Sequence, residues 1–220
     1  MEQVLSKRRL LWVHDGNPAR PHALLSSGKH GTGFANIREA LTDPILREKT
    51  ALTIIRGLEK YINPKEVAVV AGSGYASIFL VGDVARILSY RFGQTVRSVF
   101  TDKVDPNGKE MEMKFTLEPG EVIFLVEDMQ TTFHTTLSTI DAIKRAQPEA
   151  TIISYTACAF AWMSVLSYLG ENNFTVNPIL MRDMTVLSPE VCSDVGLCGK
   201  GSEAIKPKAR GNWVRLTANY

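Results

Sequence analysis

Two adjacent carboxylates, Glu127 and Asp128, close a short apolar run, Val122-Ile123-Phe124-Leu125-Val126. Four threonines follow, Thr131, Thr132, Thr135 and Thr136, with Phe133 and His134 between them. The run reads as a fully buried strand, and Leu137, Ile140 and Ile143 then continue with helical spacing. A strand, an acidic pair, a hydroxyl-rich turn and a helix together make a site for a phosphorylated sugar. Carboxylates accept hydrogen bonds from ring hydroxyls. Backbone N–H groups at a helix N-terminus stabilise an anion, and the threonine hydroxyls add donors. Taken singly, adjacent acids are often a solvated loop and threonines often only cap a helix. Their conjunction at the C-terminal end of a parallel strand falls where open α/β sheets bind ligands.

A second segment, Gly72-Ser73-Gly74-Tyr75-Ala76-Ser77, lies between an apolar run and a helical pattern. By itself it suggests part of a dinucleotide fingerprint, and so a dinucleotide-dependent oxidoreductase. That fingerprint expects a ribose-binding acid about 20 residues on, but Asp83 comes too early and Asp102 too late. A phosphate or pyrophosphate turn fits better, because small residues let backbone N–H groups approach an anion.

The stretch Glu127-Asp128, Thr131-Thr132 and Thr135 resembles the phosphoribosyl-diphosphate (PRPP) signature of type I phosphoribosyltransferases. Phe133-His134 stand where that family usually has two glycines. Other segments resemble the orotate type in the same order along the chain. They are Leu25-Ser26-Ser27-Gly28-Lys29-His30 through Phe34 and Asn36, Phe100-Thr101-Asp102-Lys103, and Ser188-Pro189-Glu190-Val191-Cys192 with Leu197-Cys198 and Ile205-Lys206-Pro207. The Asp-Arg pair that orotate enzymes often carry after the next strand is absent; Tyr155-Thr156-Ala157-Cys158 occupies that place.

The resemblance implies transfer of a 5-phosphoribosyl group from PRPP to a nitrogenous base, with Mg²⁺ bound to the pyrophosphate. Glu127 and Asp128 would hold the ribose hydroxyls, and Thr131, Thr132, Phe133, His134, Thr135 and Thr136 the 5′-phosphate. Gly72, Ser73, Gly74, Tyr75 and Lys103 would hold the pyrophosphate, with Lys109 and Lys114 as weaker candidates. Lys103 would offset charge on the leaving group. Lys29, His30 and Phe34 would lie in a hood over the base. A homodimer in the cytoplasm is implied as well. A non-catalytic PRPP or nucleotide sensor of the same fold is the alternative, because phenylalanine cannot take positive φ as freely as glycine.

The elements that must position these residues read as one α/β domain. Its central, mainly parallel, Rossmann-like sheet is flanked by helices, with an N-terminal hood to about residue 40 and a C-terminal extension from about residue 186. Asp43-Pro44 opens a helix, Glu66 to Ala71 and Thr95 to Thr101 read as strands, Asp102 to Met113 as a mobile loop, and Ala150 to Ala157 as a further strand. His14 to Gly33 reads as loop.

A net charge of +2 over 220 residues gives no electrostatic case for nucleic acid. No apolar run approaches the ~20 residues of a membrane span, and Met1 to Arg9 lacks the apolar segment of a signal peptide. Three cysteines, an odd number, suggest a reducing compartment. Cys192 and Cys198 are spaced Cys-x5-Cys with no histidine nearby in sequence, so no protein-ligated metal is expected.

Overall fold

The structure, a computed structural model, describes residues 1–25, 27–105, 110–169 and 173–218, leaving aside the side chains of Ser167 and Tyr168. Ser26, Pro106-Asn107-Gly108 and Lys109 lie outside the described residues. In chain order the elements are α1 (Glu2–Lys7), β1 (Leu11–Val13), β2 (His22–Leu24), β3 (His30–Gly31), β4 (Gly33–Ala35), α2 (Ile37–Ala40), α3 (Pro44–Leu58), β5 (Val69–Ser73), α4 (Gly74–Phe92) and β6 (Arg97–Lys103). Then come β7 (Met111–Met113), β8 (Val122–Gln130), α5 (His134–Ala146), β9 (Thr151–Trp162), α6 (Leu166–Leu169), β10 (Thr175–Arg182), β11 (Val186–Leu187), α7 (Pro189–Asp194), β12 (Ala204–Ile205) and α8 (Asn212–Thr217). No described helix is long and apolar enough to cross a membrane.

The chain divides into two compact units, one over Ile37–Met181 and one combining Glu2–Asn36 with Arg182–Tyr220. The segments read from sequence as a hood and a C-terminal extension therefore fold together.

The first unit holds a six-stranded sheet in the order β10-β9-β8-β5-β6-β7. β6, β5, β8 and β9 run parallel, and β7 is antiparallel to β6. β8 is apolar because helices cover both faces of such a sheet; Ile123 through Glu127 are all buried. Val69, Ala71, Val99, Ile123 and Leu125 share a core with Ile143 of α5. Asp43 caps α3 by accepting from the N–H groups of Ile45 and Leu46 at 3.0 and 3.1 Å, with Pro44 at the first helical position. Gly93 ends α4 in the left-handed conformation, φ 66°.

The loop expected over 102–113 is in part a hairpin: Thr101, Asp102 and Lys103 pair with Met113, Glu112 and Met111. Met111 and Met113 are buried, so the outer residues of this polar stretch are anchored by alternating apolar side chains. The strand expected to begin at Glu66 starts at Val69, after a 3-10 turn over Pro64–Glu66. β9 runs on to Trp162, well past Ala157, since Tyr155 through Trp162 are all buried.

In the second unit β1 pairs with β4, and a four-stranded sheet has the order β11-β3-β2-β12. Trp12, Ala23, Ile205 and Leu216 form its core, with Phe34 and Trp213 packed against them. The stretch 14–33 is therefore not simply loop, as two of its short strands find partners near the far end of the sequence.

Candidate functional site

Parallel strands present their C-terminal ends on one edge, and the register brings the two sequence-predicted motifs of the first unit together there. Ala71 of β5 lies opposite Leu125 of β8, so Ser73 comes level with Glu127 two residues later. Ser73 Oγ donates to Glu127 Oε2 at 2.6 Å. Glu127 is 3% exposed, and Asp128 beside it is half-buried. Burial pushes the Glu127 carboxyl up to about 8, further raised by Asp128 and opposed by the Ser73 hydrogen bond. It is thus largely protonated at neutral pH until a donor or a cation stabilises its charge.

The turn between β5 and α4 is shaped by its small residues. A Cβ at Gly72 would lie 2.6 Å from Ser77 Oγ, Val126 O and Val81 Cγ2, so only glycine fits against β8. Gly74 begins α4 at φ 53°. Ser77 is fully buried and its hydroxyl donates to the Ser73 carbonyl at 2.7 Å. The Tyr75 ring is exposed, while its backbone lies in the first turn of α4.

Beyond Asp128, β8 continues to Gln130 before the threonine turn. Phe133 is the N-cap of α5 in the left-handed region, φ 59° and ψ −6°. Its buried ring packs with Cys158, Ala161 and Val165, 5.6 Å from the Phe174 ring. The backbone there holds the conformation that glycine adopts most freely, and the apolar cluster takes the side chain. His134 and Thr135 are exposed, and Thr131 and Thr132 half-buried. The N–H groups of His134, Thr135 and Thr136 belong to the first helical turn, which lacks intrahelical acceptors.

Thr136 is buried, and its hydroxyl accepts from Gln130 Nε2 at 3.2 Å; Gln130 also donates to Thr156 at 3.3 Å. Gln130 Oε1 is buried without a partner among the described residues. Ser164 donates to the Thr131 carbonyl at 2.9 Å. Sequence reasoning missed Gln130 and Ser164, because neither belongs to a spaced motif. Lys103 ends β6, exposed, two residues past Thr101, whose hydroxyl lies 3.1 Å from that of Thr139 on α5. Lys114 pairs with Glu112, which raises its pKa.

The second unit holds Lys29, His30 and Phe34. Lys29 is exposed in the turn between β2 and β3. Phe34 packs edge-on against Trp213, ring centroids 5.5 Å apart, as part of the local core. The His30 ring lies beside His22 and Cys198. Its Nδ1 lies 3.1 Å from His22 Nε2 and 3.2 Å from Cys198 Sγ. His22, His30, Cys192 and Cys198 bring one ligand atom each within 4.8 Å of one another. The Cys-x5-Cys spacing, from which no protein-ligated metal is expected, gives no hint of this grouping. The cysteines do have histidines beside them, but from strands 162 or more residues away in sequence, where spacing carries no signal. Burial, with His30 and His14 nearby, pushes the His22 imidazole down to about 4.

No family model matches the chain. It is 29% identical over 215 residues to the orotate phosphoribosyltransferase of a Nitratiruptor species, a match covering 92% of this chain and 98% of that one. Orotate phosphoribosyltransferase from Aeropyrum pernix superposes with a TM-score of 0.58 at 16% identity, over 81% of this chain and 92% of the other. The Mycobacterium tuberculosis orotate phosphoribosyltransferase in complex with 5-phospho-alpha-D-ribosyl 1-diphosphate does so with 0.53 at 17% identity, over 82% and 94%. The fold is that of the type I phosphoribosyltransferases.

Proposed function

We propose that this chain, a homologue of orotate phosphoribosyltransferases with their fold, transfers the 5-phosphoribosyl group of PRPP to a nitrogenous base of the orotate type and releases pyrophosphate. The observation that carries the reading is the Ser73–Glu127 hydrogen bond. It joins the glycine turn to the acidic pair at the sheet edge on which the threonine turn also opens. Glu127 and Asp128 accept from the ribose hydroxyls and favour positive charge developing on the ring. The first-turn N–H groups of α5, with Thr131, Thr132 and Thr135, hold the 5′-phosphate. The turn from Gly72 to Tyr75 and Lys103 hold the pyrophosphate and offset its charge as it leaves. Catalysis by such a site is positioning and charge stabilisation, with no covalent nucleophile.

The donor set, carboxylate and hydroxyl oxygens from Glu127, Asp128 and Ser73, suits a hard divalent cation that keeps several waters. Mg²⁺ carried by the pyrophosphate would supply further charge neutralisation there. Supporting turnover over a non-catalytic sensor, Phe133 holds a left-handed backbone that glycine adopts freely, and its ring packs with Cys158, Ala161 and Val165. A homodimer belongs to the reading, supported by the exposed Ile45, Tyr75 and Phe79 on α3 and α4. So does a cytoplasmic location, supported by three free cysteines.

Pyrophosphate release from PRPP with a panel of bases tests the activity. Turnover is expected with an orotate-type base, and Asp128→Asn is expected to reduce it while leaving the fold intact. No release with any base, while PRPP still binds, would leave a sensor instead. Unchanged PRPP affinity and turnover in Glu127→Gln/Asp128→Asn would remove the acidic pair from the site.

A further inference from the structure

The phosphoribosyl reading leaves the His22, His30, Cys192 and Cys198 group without a role. We propose that these four side chains form a closed, tetrahedral Zn²⁺ site that ties the N-terminal β2–β3 hairpin to the C-terminal segment within the second unit. The inference does not rest on the phosphoribosyl reading.

The ligand atoms are His22 Nε2, His30 Nδ1, Cys192 Sγ and Cys198 Sγ. Zn–N bonds of about 2.0–2.1 Å and Zn–S bonds of about 2.3 Å give tetrahedral edges of roughly 3.3 Å between nitrogens and 3.6 Å between nitrogen and sulfur. Here the nitrogens are 3.1 Å apart. The sulfur–nitrogen separations are 3.6 Å for Cys192–His22, 3.4 Å for Cys198–His22 and 3.2 Å for Cys198–His30. These four edges lie within about 0.4 Å of the tetrahedral values, and all four ligand atoms fall within 4.8 Å of one another.

The surrounding hydrogen bonds orient the ligands. The Ser202 hydroxyl spends its one hydrogen on the Arg20 carbonyl at 2.6 Å. Toward His22 Nδ1, 2.8 Å away, Ser202 Oγ therefore accepts. The imidazole proton is held on Nδ1, and the Nε2 lone pair faces the cluster, as a metal-ligating histidine requires. The Cys198 N–H donates to Cys192 Sγ at 3.5 Å, a contact that suits a thiolate. His22 and Cys192 are buried, and two thiolates with two neutral imidazoles around Zn²⁺ carry no net charge, so the group suits a buried place. Four protein ligands leave no open position, which is the mark of a structural site. Soft sulfur and imidazole donors select zinc over magnesium or calcium.

The test uses the full-length reduced chain. Elemental analysis after purification should find zinc in stoichiometric amount. Cobalt substitution should give the visible bands of tetrahedral Co²⁺ together with thiolate charge transfer. Cys192→Ser and Cys198→Ser should each abolish that charge-transfer intensity or cut it sharply. Ser202→Ala, which leaves all four ligands in place, should weaken Co²⁺ affinity by about 10–100-fold. A protein that folds, as judged by circular dichroism, yet neither retains zinc nor gives thiolate charge transfer with Co²⁺ would overturn the proposal. So would a Cys192–Cys198 disulfide found by mass spectrometry in protein purified without oxidant. If the cysteine variants do not fold, Ser202→Ala and the wild-type cobalt spectrum still decide the question.

Discussion

At the scale of single residues, Glu127 is a buried carboxyl raised to about 8 from an ordinary 4.5. Its raised value in the folded chain means that its contribution to stability is fully present below about 4.5 and lost as pH rises through about 8. The ligand-free protein should therefore lose stability over that window, by at most about 1.4 kcal/mol per pH unit from this group. Sugar hydroxyls and a cation favour the ionised form, so PRPP–Mg²⁺ binding should release a proton and tighten as pH rises toward about 8. Glu127→Gln should flatten both trends; denaturant melts and calorimetry in buffers of different ionisation enthalpy read them. Phe133 poses the opposite balance. Its left-handed backbone costs about 1–2 kcal/mol, and its ring fills a core cluster. Removing a buried aromatic costs about 3–5 kcal/mol. Phe133→Gly should thus destabilise by about 1–4 kcal/mol in urea unfolding even though glycine suits the turn. A stabilised variant would show that strain outweighs packing there.

At the scale of elements, the β5–α4 turn works because β5 can approach β8 closely. Gly72→Ala would set a methyl 2.6 Å from the Val126 carbonyl, an atom that cannot turn aside. The expected outcome is a loss of about 1–3 kcal/mol in stability, with PRPP affinity falling by roughly tenfold, about 1.4 kcal/mol, as Ser73 shifts from Glu127. Titration calorimetry with PRPP measures it, and an unchanged affinity would mean that the turn does not meet the pyrophosphate.

At the scale of the whole molecule, the second unit is built from both ends of the chain. His22 N–H donates to the Glu203 carbonyl at 2.9 Å, and Thr32 N–H to the Thr185 carbonyl at 3.0 Å. A chain ending at Met181 loses β11, β12 and their partners' hydrogen bonds. Hydrogen exchange on such a chain should show His22–Leu24 and His30–Gly31 unprotected, with β5 and β8 still slow. Retained protection over His22–Leu24 would mean that the N-terminal segment folds without its C-terminal partner.

Local chemistry made the acidic pair, the threonine turn, the glycine turn and the strands that carry them legible in the sequence. An apolar run that ends in charge, a proline after an aspartate and a glycine between strand and helix each act over a few neighbouring residues. Sequence order alone set Glu127 after an apolar strand and Gly72 to Ser77 between a strand and a helix, although β8 runs three residues past Glu127 to Gln130. Only the parallel register brought Ser73 to Glu127 across 54 residues and buried that carboxyl. Phe133 was visible as a departure, but where its ring would go depended on Cys158, Val165 and Phe174 gathering around it. The His22, His30, Cys192 and Cys198 group left no periodic trace, because its members come from strands and turns at opposite ends of the chain. Contacts of that kind are set by which strand edges pair, and pairing is decided by the packed whole.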